Sequence, residues 1–136
     1  MLKTIIMKIS VVIPTHNSEK TINNTLDSVL KQTVLPDEII VLDDGSTDNT
    51  VSILKSYGTR VALLQHENQG VARTRNELCK RSKGDLVAFL DHDDIWHPKY
   101  LEIQRTLYEK YPNAVAYFLG HINFFGYCNY HWDNNP

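Results

Sequence analysis

Hydrophobic and polar residues along this chain follow two rhythms, and the switches between them mark out the elements. Residues 8–14, Lys-Ile-Ser-Val-Val-Ile-Pro, form a short β-branched run of the kind that suits a strand buried on both faces. Behind Ser18, a good N-cap, Ile22, Leu26, Val29 and Leu30 recur at helical spacing; this predicts an amphipathic helix over 19–32, and Pro36 breaks the chain beyond it. A second strand follows at 38–43, and Ser46 or Thr47 is placed to cap a helix running to Tyr57, with Gly58 as its C′ residue. Residues 60–65, apolar at 61–64, read as a third strand. A third helix spans 70–82, with Val71, Leu78 and Cys79 on or near one face, and Gly84 closes it. The fourth strand is 85–90, Asp-Leu-Val-Ala-Phe-Leu. Pro98 stands where the first residue of a fourth helix belongs, and Tyr100, Ile103, Leu107 and Tyr111 carry that helix inward. Residues 114–119 make a fifth apolar run.

Strands that alternate with helices across short loops predict an α/β domain: a mostly parallel sheet with right-handed crossovers and helices on both faces. This domain covers 1–119. From Gly120 the pattern stops, and 120–136 is a tail crowded with Phe124, Phe125, Tyr127, Tyr130 and Trp132. Those aromatics either cover one end of the sheet or form a surface for another segment or subunit.

Composition narrows the picture. At 136 residues, 42% hydrophobic and 22% charged, the chain has the size and make-up of one soluble globular domain. Its net charge of −2 provides no broad basic face to neutralise many phosphates, which argues against nucleic acid as a partner. Cys79 and Cys128 are far apart with no metal-ligand spacing, so both read as reduced thiols. Residues 1–7 lack the apolar core and cleavage site of a signal peptide, and no stretch reaches the roughly 20 apolar residues of a membrane span. A cytoplasmic protein is expected; peripheral contact with the inner membrane surface, and oligomerisation, stay open.

In an open α/β sheet, ligands bind outside the carboxyl ends of the strands. Polar clusters stand just after each one: Pro14-Thr15-His16-Asn17, Asp43-Asp44-Gly45-Ser46-Thr47-Asp48, Asn68-Gln69-Gly70 and Asp91-His92-Asp93-Asp94. The last is the sharpest. Its carboxylates repel one another unless a cation or donor neutralises them, and hard oxygen ligands suit Mg²⁺ or Mn²⁺, which would bridge to a diphosphate. The competing reading has Asp93 or Asp94 capping the helix near Pro98 while Asp91 is solvated; capping accounts for one carboxylate, not three. The second cluster makes a turn at Gly45, and a carboxylate there is also able to accept a hydrogen bond from a pyrimidine N–H. Arg73 and Arg75 open a helix whose N-terminus favours anions, against the ordinary reading of solvated surface arginines. His92 and His97 flank the acidic cluster, but no third nitrogen or sulfur ligand supports zinc. His16, His66, His121 and His131 read as ordinary polar residues. Neither Gly-x-Gly-x-x-Gly after the first strand nor a P-loop is present, so a dehydrogenase or P-loop NTPase is unsupported.

Taken in order, Ser-Val-Val-Ile-Pro-Thr-His-Asn-Ser-Glu (10–19), Ile-Ile-Val-Leu-Asp-Asp-Gly-Ser-Thr-Asp (39–48), Glu-Asn-Gln-Gly-Val-Ala-Arg-Thr-Arg-Asn (67–76) and Phe-Leu-Asp-His-Asp-Asp (89–94) closely resemble family-2 glycosyltransferases of the Rossmann-like GT-A fold. The resemblance covers 8–111. It implies an inverting enzyme that takes a nucleotide-sugar donor, commonly a UDP-sugar, and delivers the sugar to a hydroxyl of a glycan, lipid-linked or other acceptor. By the same resemblance, Pro14, Thr15 and Glu19 line the nucleoside pocket, Asp44 with Asp43 contacts the base, and Asn68 and Arg75 lie near the nucleotide. Asp91-His92-Asp93 matches the family's Asp-x-Asp motif: Asp91 serves both ribose and metal, and Asp93 the metal. The family's general base and most of its acceptor site come from sequence beyond the fifth strand. Asp133 is the only carboxylate after Glu109, so the catalytic base stays unassigned and the chain is expected to be truncated on its C-terminal side. The alternative is an incomplete, catalytically silent nucleotide-binding module.

Overall fold

The computed structural model describes residues 7–120. Four strands form one sheet in the order β3-β2-β1-β4: β1 (Ile9–Thr15), β2 (Glu38–Asp44), β3 (Ala62–His66) and β4 (Leu86–Phe89). Every pairing is parallel. β1 is central, and all seven of its residues are buried, which is why it reads as a continuous apolar run rather than an alternating one. Pro14 lies within β1 and not at its end. Its missing N–H is tolerated because pairing with β4 stops at Val12↔Phe89, two residues earlier.

Side chains alternate across the sheet. On one face Ile9, Val11 and Ile13 of β1 and Ile39 and Val41 of β2 pack with Ile22, Leu26 and Val29 of α1 (Ile22–Leu30), Leu54 of α2 (Thr50–Ser56) and Leu101 of α4 (Tyr100–Lys110). On the other face Val12, Ile40 and Leu42 pack with Leu78 of α3 (Val71–Arg81). Helices thus cover both faces. The burial of the Ile22-Leu26-Val29 stripe follows its helical spacing.

Several local expectations are corrected. α1 begins at Ile22 and not at 19, because the Ser18 carbonyl accepts the Thr21 and Ile22 N–H groups in a turn while the Ser18 hydroxyl bonds Thr15. α2 begins at Thr50; Ser46 is drawn back to Asp43, and Asp48 Oδ1 accepts the Thr50 N–H at 3.0 Å instead. On α3 the inward residues are Thr74 and Leu78; Val71 and Cys79 are exposed. On α4 Leu101 and Gln104 are buried, whereas Ile103 and Tyr111 are exposed. Pro98 precedes α4 without starting it, its carbonyl taken by the Thr33 N–H at 2.8 Å. The apolar run at 114–119 adds no strand: Val115 is 104% and Phe118 90% exposed, and the sheet ends at β4. The aromatic tail, Cys128 and Asp133 lie outside the described residues. Among the described residues no helix is long and apolar enough to cross a membrane.

Candidate functional site

The parallel register brings three strand ends level: Thr15 lies beside Asp43, and Asp44 beside His66. Everything that follows these residues in the chain therefore emerges at one edge of the sheet.

The loop after β1 is tied to the loop after β2. Asn17 adopts φ 48°, a left-handed conformation that asparagine tolerates better than most residues. Its N–H donates to the Ser46 hydroxyl and its side-chain oxygen accepts the Thr47 N–H, both at 2.8 Å. Asp43 is 1% exposed, and its carboxylate accepts the Ser46 N–H at 3.2 Å and the Ser46 hydroxyl, closing the turn at Gly45. Gly45 has φ 73°, and a Cβ there would stand 2.9 Å from the Asn68 nitrogen; the turn needs glycine for conformation and for space.

Asp44 reaches across to the loop before α3. Its Oδ1 accepts the Gln69 N–H at 2.7 Å and its Oδ2 the Gly70 N–H at 3.0 Å. His66 Nδ1 lies 3.3 Å from Oδ1 and 2.6 Å from the Glu67 carbonyl, so the shorter contact is the hydrogen bond, and two acceptors place the proton on Nδ1. An ionised carboxylate has roughly four acceptor positions. The loop thus occupies about two of those on Asp44 and leaves about two for a ligand N–H and the longer His66 contact.

The acidic loop after β4 is held from α1. Thr25 donates to the His92 carbonyl at 2.8 Å, and the Ser28 hydroxyl accepts the Trp96 N–H at 3.1 Å. Buried Gln32 donates to the His97 carbonyl and accepts the Leu101 N–H, clamping the end of α1 to the start of α4. Trp96 stacks on Tyr100 with ring centroids 4.2 Å apart. Asp91 is half-exposed, its Oδ1 2.5 Å from Arg75 Nη2 on α3. Asp93 is exposed, and α4 carries no side-chain cap at Lys99.

Between these loops lies a cavity of about 260 Å³ lined by Pro14, Thr15, Asp44, Asn68, Thr74 and His92, with His16, Gly70 and Val71 completing the wall. The structure brings together Pro14, Thr15, Asp44 and Asn68 from three separate stretches of sequence. Arg75 and Asp91 stand next to it as an ion pair. Asp43 and Glu19 do not line it: Asp43 serves the Gly45 turn, and Glu19 Oε2 accepts the Asn49 N–H at 3.0 Å. His16, expected to be an ordinary polar residue, and His92, expected only to flank the acidic cluster, both line the cavity. His16 is oriented by the Asp44 carbonyl at 2.8 Å, and His92 Nδ1 is buried with no hydrogen-bond partner among the described residues. Their positions beside Thr15 and Asp91 were the available signal.

Among the described residues no three His, Cys, Asp or Glu side chains converge to hold a metal by themselves. The donor set fits a different mode. Asp91 and Asp93 offer hard oxygens at the open edge, and Mg²⁺-like cations are commonly held by one or two carboxylates with the phosphates of a substrate.

The sequence model of glycosyl transferase family 2 matches residues 10–135, and the chain belongs to that family. It is 40% identical over 114 residues to the Escherichia coli UDP-Glc:alpha-D-GlcNAc-diphosphoundecaprenol beta-1,3-glucosyltransferase WfgD, covering 82% of this chain and 44% of that protein. Staphylococcus aureus TarS 1–349 in complex with UDP-GlcNAc superposes with a TM-score of 0.72 at 34% identity, over 78% of this chain and 32% of that one. The mannosyltransferase PcManGT of Pyrobaculum calidifontis, in complex with GDP-Man and Mn²⁺, gives 0.63 at 28% identity over 68% and 29%. The fold is that of the GT-A glycosyltransferases. The chain spans less than half the length of these relatives.

Proposed function

We propose that this chain binds the nucleotide part of a sugar donor, a UDP-sugar, for inverting transfer to a hydroxyl of a glycan or lipid-linked acceptor. The observation that carries the reading is the cavity at the strand ends. It joins Pro14, Thr15, Asp44 and Asn68 in one wall and stands beside the Arg75–Asp91 pair. WfgD uses UDP-Glc and TarS was solved with UDP-GlcNAc, which supports uridine as the base.

In this reading a remaining acceptor position on Asp44 takes the uracil N3–H, and Asn68 lies near the nucleotide. Arg75 and the carboxylates of Asp91 and Asp93 face the diphosphate, with Asp91 and Asp93 holding a divalent cation. That cation, when bound, neutralises charge on the diphosphate leaving group. Without it, the carboxylates and the diphosphate repel each other. The reading places the protein on the cytoplasmic side, where nucleotide-sugars are made.

Calorimetry with UDP, ADP and GDP, with and without Mn²⁺, tests this. UDP is expected to bind more tightly than either purine diphosphate. Mn²⁺ should raise its affinity by about 5 to 150-fold, the usual range of coupling between sites. Asp93→Ala should remove that gain and leave the weak metal-free binding in place. Equal affinities for the three diphosphates sink the uridine assignment, and a full Mn²⁺ gain in Asp93→Ala sinks the metal assignment.

A further inference from the structure

The donor cavity is not the only concavity at α3. Thr74 and Leu78 attach the helix to the sheet, and its flank toward β3 leaves a second groove of about 700 Å³. Asp44 and Gly70 line the donor cavity, whereas His66 and Gln69 line the groove, so the bridge from Asp44 to the loop amides stands between the two.

The groove is polar, with Gln65 and His66 contributed by β3, Gln69 by the loop, and Arg73, Asn76 and Lys80 by α3. Among the described residues, the side chains of Gln65, Gln69, Arg73, Asn76 and Lys80 make no hydrogen bond or ion pair with the rest of the protein. The groove's single acid, Glu77, is taken by Arg81 Nε at 2.8 Å. The charge is local. Residues 73–83 carry Arg73, Arg75, Lys80, Arg81 and Lys83 against Glu77 alone, in a chain whose net charge is −2. Arg75 is turned to Asp91, so Arg73 and Lys80 are the unpaired cations that the groove presents.

These groups define a ligand chemistry. Carboxamides offer donor and acceptor together, which matches the hydroxyls of a sugar, while a guanidinium and an ammonium match an anion. Arg73 and Lys80 are seven residues apart on one helix, about 10 Å along its axis, a spacing suited to two anionic groups on a chain and too long for one small anion. A lipid surface has no need of an amide-lined cleft. We propose that this groove binds an anionic saccharide chain, one bearing carboxylate or phosphate groups, at a site separate from the donor cavity.

The test is calorimetric titration of the full chain with a short oligogalacturonate, with maltohexaose, with inorganic polyphosphate and with phosphatidylglycerol vesicles. Oligogalacturonate is expected to bind, and to bind less well as salt screens the charges. Maltohexaose should not bind. Because each exposed charge pair contributes up to about 1 kcal/mol, the Arg73→Gln/Lys80→Gln double variant should lose about tenfold in oligogalacturonate affinity and keep its affinity for UDP. Asn76→Ala should also weaken the oligosaccharide, which a site built on charge alone would not show. Three results would overturn the proposal: no oligogalacturonate binding, binding that the double variant leaves intact, or polyphosphate binding equally tightly with Asn76→Ala having no effect. Capture by the vesicles without oligogalacturonate binding would assign the groove to a lipid surface and overturn it as well. Failure of UDP to bind bears on the donor cavity and leaves this measurement unaffected.

Discussion

Asp44 has two demands on one carboxylate. Buried at 5% exposure, it holds the Gln69 and Gly70 amides and so fixes where Asn68 and the start of α3 stand. Replacing it with asparagine would turn an NH₂ group toward one of those N–H donors and leave that donor without an acceptor. A buried donor that loses its partner costs about 1–3 kcal/mol. Asp44→Asn is therefore expected to lower unfolding free energy by about that much in urea titrations, besides weakening UDP. A variant that loses UDP affinity at unchanged stability would show that the loop does not depend on this carboxylate. Asp43, its neighbour, was read from the sequence as a base contact on the same grounds, and the two carboxylates prove to serve different partners. Adjacent residues on a strand point to opposite faces, and the sequence shows that two acids are present but not which one meets the cavity.

At the scale of elements, the loops after β1 and β2 are locked to each other by side chains that accept backbone N–H groups. Asp48 is an example: its Oδ2 accepts the Glu19 N–H at 3.1 Å while its Oδ1 holds the Thr50 N–H. Burial opposes ionisation of Asp48, but the Thr50 hydroxyl and the Thr50 and Glu19 N–H groups together outweigh it and hold the carboxyl below its ordinary value of 3.8. A carboxyl lowered in the folded state contributes stability that is fully present above 3.8 and is lost as pH falls through the folded value. The stability gap between the parent and Asp48→Asn should accordingly be widest near neutrality and narrow below pH 3.8. Chemical denaturation across that range checks it, and a gap independent of pH would rule the mechanism out. The expected helix start at 19, and the expected cap of the second helix at Ser46 or Thr47, are displaced for a related reason. Ser18 and Ser46 are competent caps by residue type, but each hydroxyl is taken by a tertiary or turn partner, and helix formation waits until Ile22 and Thr50.

For the molecule as a whole, the site depends on α3 and the acidic loop approaching from different sides of the sheet. Arg75 and Asp91, 16 residues apart, meet at the open edge. Both are about two-fifths exposed, so their pair adds only about 0–1 kcal/mol to stability, and its larger consequence is electrostatic. Arg75 offsets Asp91 charge that a diphosphate would otherwise meet. Arg75→Gln is expected to leave the melting temperature near the parent's, weaken metal-free UDP binding, and enlarge the relative gain from Mn²⁺. Unchanged metal-free affinity in calorimetry would remove Arg75 from the diphosphate reading.

The sequence by itself determined the element order, the central buried strand and the edge at which function collects. These follow from short-range periodicity and from the rule that parallel α/β sheets gather their loops at the carboxyl ends of the strands. It also carried the four motifs, since their residue types and order survive without coordinates. Tertiary structure decided which polar residues share a wall. Glu19 went to Asn49 and Asp43 to Ser46, whereas His16, Thr74 and His92 joined Asp44 at the cavity. It likewise decided which helix faces turn inward, burying Leu101 and Gln104 while exposing Ile103, and left the run at 114–119 outside the sheet. The physical reason is the same in each case: a side chain's type fixes what it is able to bond, but its partner is set by distance across the fold, which local pattern does not encode.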